Sequence, residues 1–213
     1  MSWNCTSSKR LALGMNINTR IAGGMDVTTF KDKLLNHHPE TLVRDYLLSK
    51  EICACTVQEY EQFQAEIAKQ FEGVVQVAVM GSGNWGFSLN PKKNFRAFGT
   101  HSDIDAIVIS NIEFEKNWFF LRKYHRENWY QLTTHDRDAL KRNGQNIYSG
   151  FICPLWIPEN GHPFRIRYIR KVHSLKSVLA RRKFDIFFFK NENEAIDYYK
   201  RGVMIARQHL REG

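Results

Sequence analysis

Apolar side chains recur along this chain at two periods, one helical and one alternating. In the first third the period is helical. Asp26, Thr28 and Thr29 offer caps ahead of Phe30, Leu34 and Leu35, which predicts a helix beginning near Asp26 or Thr28. Pro39 stands at the first turn of a second helix over residues 40–51, where Leu42, Tyr46 and Leu47 repeat at helical spacing. A third helix opens with the capping box Thr56–Val57–Gln58–Glu59 and carries the stripe Tyr60, Phe63, Ile67 and Phe71, whose spacing is that of core packing.

Strand-like runs follow. Residues 74–80 and 104–109 read as short buried strands, and residues 184–189 as a third. Between them, residues 114–130 alternate bulk and charge, so a helix there buries Trp118, Leu121 and His125 on one face. The same interleaving of rings and bases also suits a platform for single-stranded nucleic acid. Thr134 is a candidate cap for the next helix, residues 151–157 form an edge strand interrupted by Pro154, and residues 158–163 form a turn. Residues 165–179 fit either one basic helix or a strand followed by a helix. A last helix over residues 193–210 buries Ile196, Tyr199, Val203, Ala206 and Leu210. The expected class is α+β, a mixed central sheet flanked by helices with an N-terminal helical extension. Residues 1–72 form the arm and extension, and residues 73–213 the core with its C-terminal helix.

Composition narrows the setting. A chain of 213 residues can bury a real core, and no run is long and apolar enough to span a bilayer. The N-terminus has no charged start followed by an apolar run, so a cytoplasmic protein is expected. A net charge of +9 and a pI near 9.4 favour an anionic partner. Lys9, Arg10 and Arg20 lie in a polar arm that is either a phosphate contact or simply solvated. Cys5, Cys53, Cys55 and Cys153 are too few and too scattered for a disulfide framework. Cys53 and Cys55, with His37 and His38, make half a zinc site or, more simply, buried reduced thiols.

The chemistry concentrates in two stretches. Val77–Ala78–Val79–Met80 runs into Gly81–Ser82, a turn whose backbone amides and hydroxyl suit a polyphosphate. After an interval comes Ser102–Asp103–Ile104–Asp105, where strand alternation sends both carboxylates to one side and Ile104 into the core. Two close carboxylates need protonation or a cation, and oxygen ligands of this kind suit Mg²⁺ or Mn²⁺. A third acid, Asp185, interrupts Phe184, Ile186 and Phe187; it is either a further ligand or an edge-strand aspartate paired with Arg181 or Arg182. His101 precedes Ser102 and either tunes the site or caps it. Lys92, Lys93 and Arg96 lie in the interval as phosphate contacts or as a solvated loop. Lys171 and Lys176, just before the third acid, are candidates to reach a phosphate, with an exposed basic face as their alternative.

Strand, Gly81–Ser82, interval, Ser102–Asp103–Ile104–Asp105 and the later Asp185 together resemble the signature of the DNA polymerase beta-type nucleotidyltransferase superfamily, over residues 74–190. The interval is longer than that family's usual short connection, with residues 89–94 inserted. The resemblance implies a nucleotidyltransferase fold, with Asp103, Asp105 and Asp185 holding Mg²⁺ or Mn²⁺ and Gly81, Ser82 and Ser102 holding a nucleoside triphosphate. It also implies transfer of a nucleoside monophosphate to an acceptor hydroxyl of RNA, an oligonucleotide or a protein, with release of pyrophosphate. Small bacterial members act in phage defence or as toxins and antitoxins. Two other classes stay open: a catalytically silent nucleic-acid-binding or antitoxin module on the same fold, and a metal-dependent nuclease using the same acids. No oligomeric state follows from the sequence.

Overall fold

The computed structural model describes residues 25–100, 102–175 and 184–212. Three helices lead: α1 (Val27–Asn36), α2 (Pro39–Leu48) and α3 (Val57–Gln70). Each begins where local chemistry satisfies or removes orphan amides. Asp26 Oδ1 accepts the N–H groups of Thr28 and Thr29 at 2.7 and 2.9 Å. Pro39 fills the first position of α2, where no N–H is needed. Thr56 and Glu59 close the expected reciprocal box, at 3.3 Å from Glu59 N–H to Thr56 Oγ1 and 2.8 Å from Thr56 N–H to Glu59 Oε2.

Four strands, β1 (Gln76–Met80), β2 (Ile104–Ile109), β3 (Phe151–Ile152) and β4 (Phe184–Phe189), make one sheet in the order β1-β2-β4-β3. β1 runs antiparallel to β2, β2 parallel to β4, and β3 antiparallel to β4. The chain is thus an α+β protein with a four-stranded mixed sheet flanked by helices. The remaining helices are the single turn α4 (Ser82–Trp85), α5 (Asn111–Asn128), α6 (Thr134–Tyr148), α7 (Pro163–Leu175) and α8 (Glu192–Glu212). None of the helices in the described residues is long and apolar enough to cross a membrane.

Alternation along β2 divides the core in two. Ile104, Ala106 and Val108 face Tyr60, Phe63 and Ile67 of α3, Leu121 and Tyr124 of α5, and Tyr168 of α7. Ile107 and Ile109 face Phe30 and Leu34 of α1, Val43 and Leu47 of α2, and Ile196, Tyr199 and Val203 of α8. Asp105 shares the parity of Ile107 and Ile109, so it stands at the end of the face that α1, α2 and α8 cover. The N-terminal helices therefore contribute to the same two cores as the sheet.

Several local expectations change. α5 buries Phe114, Asn117, Leu121 and Tyr124, whereas His125 is exposed and lies 4.5 Å from the Trp129 ring, because the helix phase turns it outward. The cap of α6 is Thr133, one residue before Thr134, and its side chain accepts from Asp136 N–H at 3.1 Å. The ambiguous stretch before the third acid is one helix, α7, ending at Leu175 within the described residues. β3 is an edge strand only two residues long, stopped before Pro154. Beyond its end, Tyr168 from α7 serves β4 instead: Ile186 N–H donates to Tyr168 Oη at 3.1 Å. The arm carrying Lys9, Arg10 and Arg20 lies outside the described residues.

Candidate functional site

β1 stops at Met80 and Gly81 turns the chain at φ +65° and ψ −156°. A Cβ at Gly81 would stand 2.7 Å from Asp105 Oδ2. Glycine is needed here twice, for the backbone conformation and for room beside a carboxylate. Asn84, fully buried, pins the turn by donating from Nδ2 to the carbonyls of Val79 and Tyr46 at 2.7 and 2.8 Å. The bend between α2 and α3 clamps it from outside, with Cys53 N–H on Asn84 O at 3.0 Å and Ala54 N–H on Gly83 O at 2.8 Å. Residues that read as half a zinc site thus buttress this turn. His37 and His38 are exposed at the α1–α2 junction.

The acids come from two adjacent parallel strands. Asp105 and Asp185 are direct partners in the β2–β4 register, and both are half-buried. Asp103 lies two residues upstream of Asp105, exposed. Burial pushes the Asp105 carboxyl up to about 6, with the negative charges of Asp185 and Asp103 raising it further and Lys93 opposing them. Burial raises the hydroxyls of Tyr198 and Tyr199 in α8, and Asp105 adds to both shifts.

Two clefts open beside Asp105. The smaller, about 180 Å³, is lined by Ser82, Ser88, Lys93, Arg96, Ala97, Ser102, Asp103 and Asp105. The larger, about 580 Å³, runs from Gly81 and Ser82 past Lys93 to Tyr198, Arg201 and Ile205 of α8. Ser82, Ser88, Lys93 and Asp105 line both. Ser102 belongs to the smaller cleft, and its hydroxyl accepts Gly99 N–H at 3.0 Å.

Gly81, Ser82, Ser102, Asp103, Asp105 and Asp185 are therefore brought together at one end of the sheet. Lys171 is not. Its ammonium donates to the carbonyl of Gln70 and sits 4.7 Å from the Phe71 ring centroid, on the α3–α7 side, because the single helix α7 turns it toward the end of α3. Lys176, His101, Arg181 and Arg182 lie outside the described residues.

Among the described residues no group of three or more His, Cys, Asp or Glu side chains could hold a metal ion by itself. The donors at Asp105 are all carboxylate oxygens, and Asp105 holds its proton more tightly than an ordinary carboxyl because it is buried and stands beside Asp185 and Asp103. That set does not make a protein-only cage. It fits a hard cation such as Mg²⁺ or Mn²⁺, which keeps several waters and takes one or two carboxylates together with substrate phosphates.

Ser88, Tyr198 and Arg201 are lining residues that reading the sequence missed. In α8, Tyr198, Arg201, Gly202 and Ile205 follow the spacing i, i+3, i+4, i+7, beside the core stripe of Ile196, Tyr199 and Val203. That second stripe was the available signal. Lys93 and Arg96 were visible in the long interval before Ser102, but nothing in the sequence folded that loop back over the acids. Comparison with protein-family models, with characterised proteins and with solved structures finds no match to this chain.

Proposed function

We propose that this chain is a divalent-metal-dependent nucleotidyltransferase, moving a nucleoside monophosphate from a triphosphate to an acceptor hydroxyl with release of pyrophosphate. The observation that carries the reading is the registered pair Asp105–Asp185 set against the Gly81–Ser82 turn. On this reading the sheet and its helices are a nucleotidyltransferase fold, with a core over residues 73–213 and an extension over residues 1–72. A strand pair bearing acids, next to a turn with no Cβ, brings a phosphate chain and its counter-ion to one place.

Each residue has a role. Asp105 and Asp185, with Asp103 beside them, would hold Mg²⁺ or Mn²⁺. A cation bound there lowers the pKa of an attacking hydroxyl and neutralises charge on the phosphates. Gly81 lets the chain approach the phosphates, and Ser82 offers its hydroxyl. Ser102 lines the smaller cleft. The acceptor oxygen forms a bond to the α-phosphorus as the bond to pyrophosphate breaks, and the hydroxyl proton leaves to solvent. The acceptor is RNA, an oligonucleotide or a protein, which a net charge of +9 favours in the case of nucleic acid. A role in phage defence or toxin–antitoxin biology follows by analogy with small members of the superfamily.

One observation favours a second reading. Asp103 is exposed and, among the described residues, no three acidic, histidine or cysteine side chains are grouped closely enough to hold a metal ion, as in a silent nucleic-acid-binding or antitoxin module that keeps the fold without the chemistry. Incubation with each labelled triphosphate, Mg²⁺ or Mn²⁺, and total RNA or protein separates the two. The enzyme labels an acceptor and releases pyrophosphate. The silent module retains nucleic acid and labels nothing.

A further inference from the structure

The segment between Gly86 and Phe98 is a stalk folded back on itself. Phe87 and Ala97 pair as an isolated antiparallel bridge, and Ser88 N–H donates to Arg96 O at 2.9 Å. Its tip is a 3₁₀ turn, Pro91–Lys93, capped by Asn90 Oδ1 on Lys92 N–H at 3.0 Å. Asn94 and Phe95 then adopt φ of +41° and +52°, the two non-glycine residues in the left-handed region among those described.

Two neighbouring residues in that conformation need something to hold them. The holder is the Phe95 ring, 5 % exposed, which enters the core between α1 and α8. It lies 6.4 Å from Phe30 and stacks 6.5 Å from His209, while Lys31 sits 5.1 Å over it. Burying Phe95 forces the backbone reversal, and the reversal turns Lys93 and Arg96 into the smaller cleft. Neither makes an ion pair with a described acid within 4 Å, yet Lys93 acts electrostatically on Asp105. Three hydroxyls, those of Ser82, Ser88 and Ser102, line the same space. Cations, hydroxyls and acids around about 180 Å³ are the surroundings of a metal-bound phosphate chain.

We propose that this strained stalk is the triphosphate clamp of the chain, with Lys93 and Arg96 gripping the β- and γ-phosphates while Ser82 and Asp105 face the α-phosphate. The clamp rests on the transferase reading for its substrate, but phosphate binding is measurable without any transfer. It places recognition of the leaving pyrophosphate on the long interval between Ser82 and Ser102, and it gives Lys171 no part.

The test is equilibrium titration of the full chain with inorganic tripolyphosphate and Mg²⁺, by calorimetry. Lys93→Ala and Arg96→Ala each weaken binding about tenfold, the loss of one charge-assisted contact, and the double variant weakens it about a hundredfold. Asn94→Gly is compatible with the positive φ and keeps the fold, while its freer backbone loosens the stalk and weakens binding; binding equal to the parent's by this variant would count against the stalk's rigidity as the source of the grip. Both alanine variants binding as the parent does, or a parent that does not bind tripolyphosphate, overturns the clamp. If those variants bind normally and the parent still transfers nucleotide, the clamp falls and the function stands. If tripolyphosphate binds through Lys93 and Arg96 but no nucleotide is ever transferred, the function falls and the clamp stands.

Discussion

Asp105 and Asp185 face each other across two parallel strands, paired residue to residue, with Gly81 directly against the first of them. Placing like charges side by side weakens a fold unless something offsets them. The Asp105 carboxyl, ordinarily near 3.8, is held at about 6. The folded state therefore binds this proton more tightly than the unfolded state does. From this group, stability is highest below the unfolded value and falls as pH rises from about 4 to above 6, where the carboxylate is charged.

In chelator, the urea midpoint of the parent is expected to drop across that window. Asp105→Asn removes the slope and stabilises the metal-free chain near pH 7.5 by about 1–3 kcal/mol. Saturating Mg²⁺ should recover part of the parent's lost stability and none for the variant. An Asp105→Asn midpoint that follows the same pH slope as the parent removes Asp105 as its source.

Gly81→Ala tests the turn. The substitution meets a left-handed φ and a carboxylate oxygen 2.7 Å from the new methyl group, so Asp105 must shift. The cost in stability is expected at about 1–2 kcal/mol. Nucleotide transfer should fall by about a hundredfold, since displacement of roughly 1 Å at a reacting centre has effects of that order. Chemical denaturation and steady-state incorporation measure the two separately.

Much of this was legible in the residues. The capping box at Thr56 and Glu59, proline at the start of α2 and the α8 stripe are local signals, and they formed as read except that Leu210, at the end of the stripe, is half-buried. The acids were legible because a charge inside Phe184–Phe189 or at the start of β2 contradicts its apolar surroundings. Lys171 misled because nearness in sequence to Asp185 says nothing about where a helix turns its side chain. In α7 that residue binds the end of α3 instead. The stalk was illegible for a related reason: burial of Phe95 between α1 and α8 joins segments far apart in the chain, and no short-range pattern encodes it.

Tyr168 takes the place of the missing half of β3. The residue is 4 % exposed, and its hydroxyl receives Ile186 N–H one residue after Asp185 and is held far above its ordinary ionisation by burial. Tyr168→Phe keeps the ring packing on Phe71 and Phe188 but orphans that amide, and is expected to cost about 1–3 kcal/mol. Hydrogen exchange at Ile186 should accelerate more than at Ile107, on the β2 strand beside it. Equal acceleration at both would mean a general loss of stability rather than a local one.

Thr56→Ala separates fold from site. It breaks the box at the start of α3 at a residue that lines neither cleft, and should cost about 1 kcal/mol while leaving tripolyphosphate affinity unchanged. A change in that affinity would show that α3 and the cleft are coupled.

The most direct test of the central claim is labelling from an α-³²P nucleoside triphosphate, with each of the four bases, in Mg²⁺ or Mn²⁺ and with total RNA and protein as acceptors. The account predicts metal-dependent incorporation with pyrophosphate release by the parent, lost in Asp105→Asn and in Asp185→Asn although both variants fold. Incorporation that survives either substitution, or a parent that labels no acceptor with any triphosphate, contradicts it.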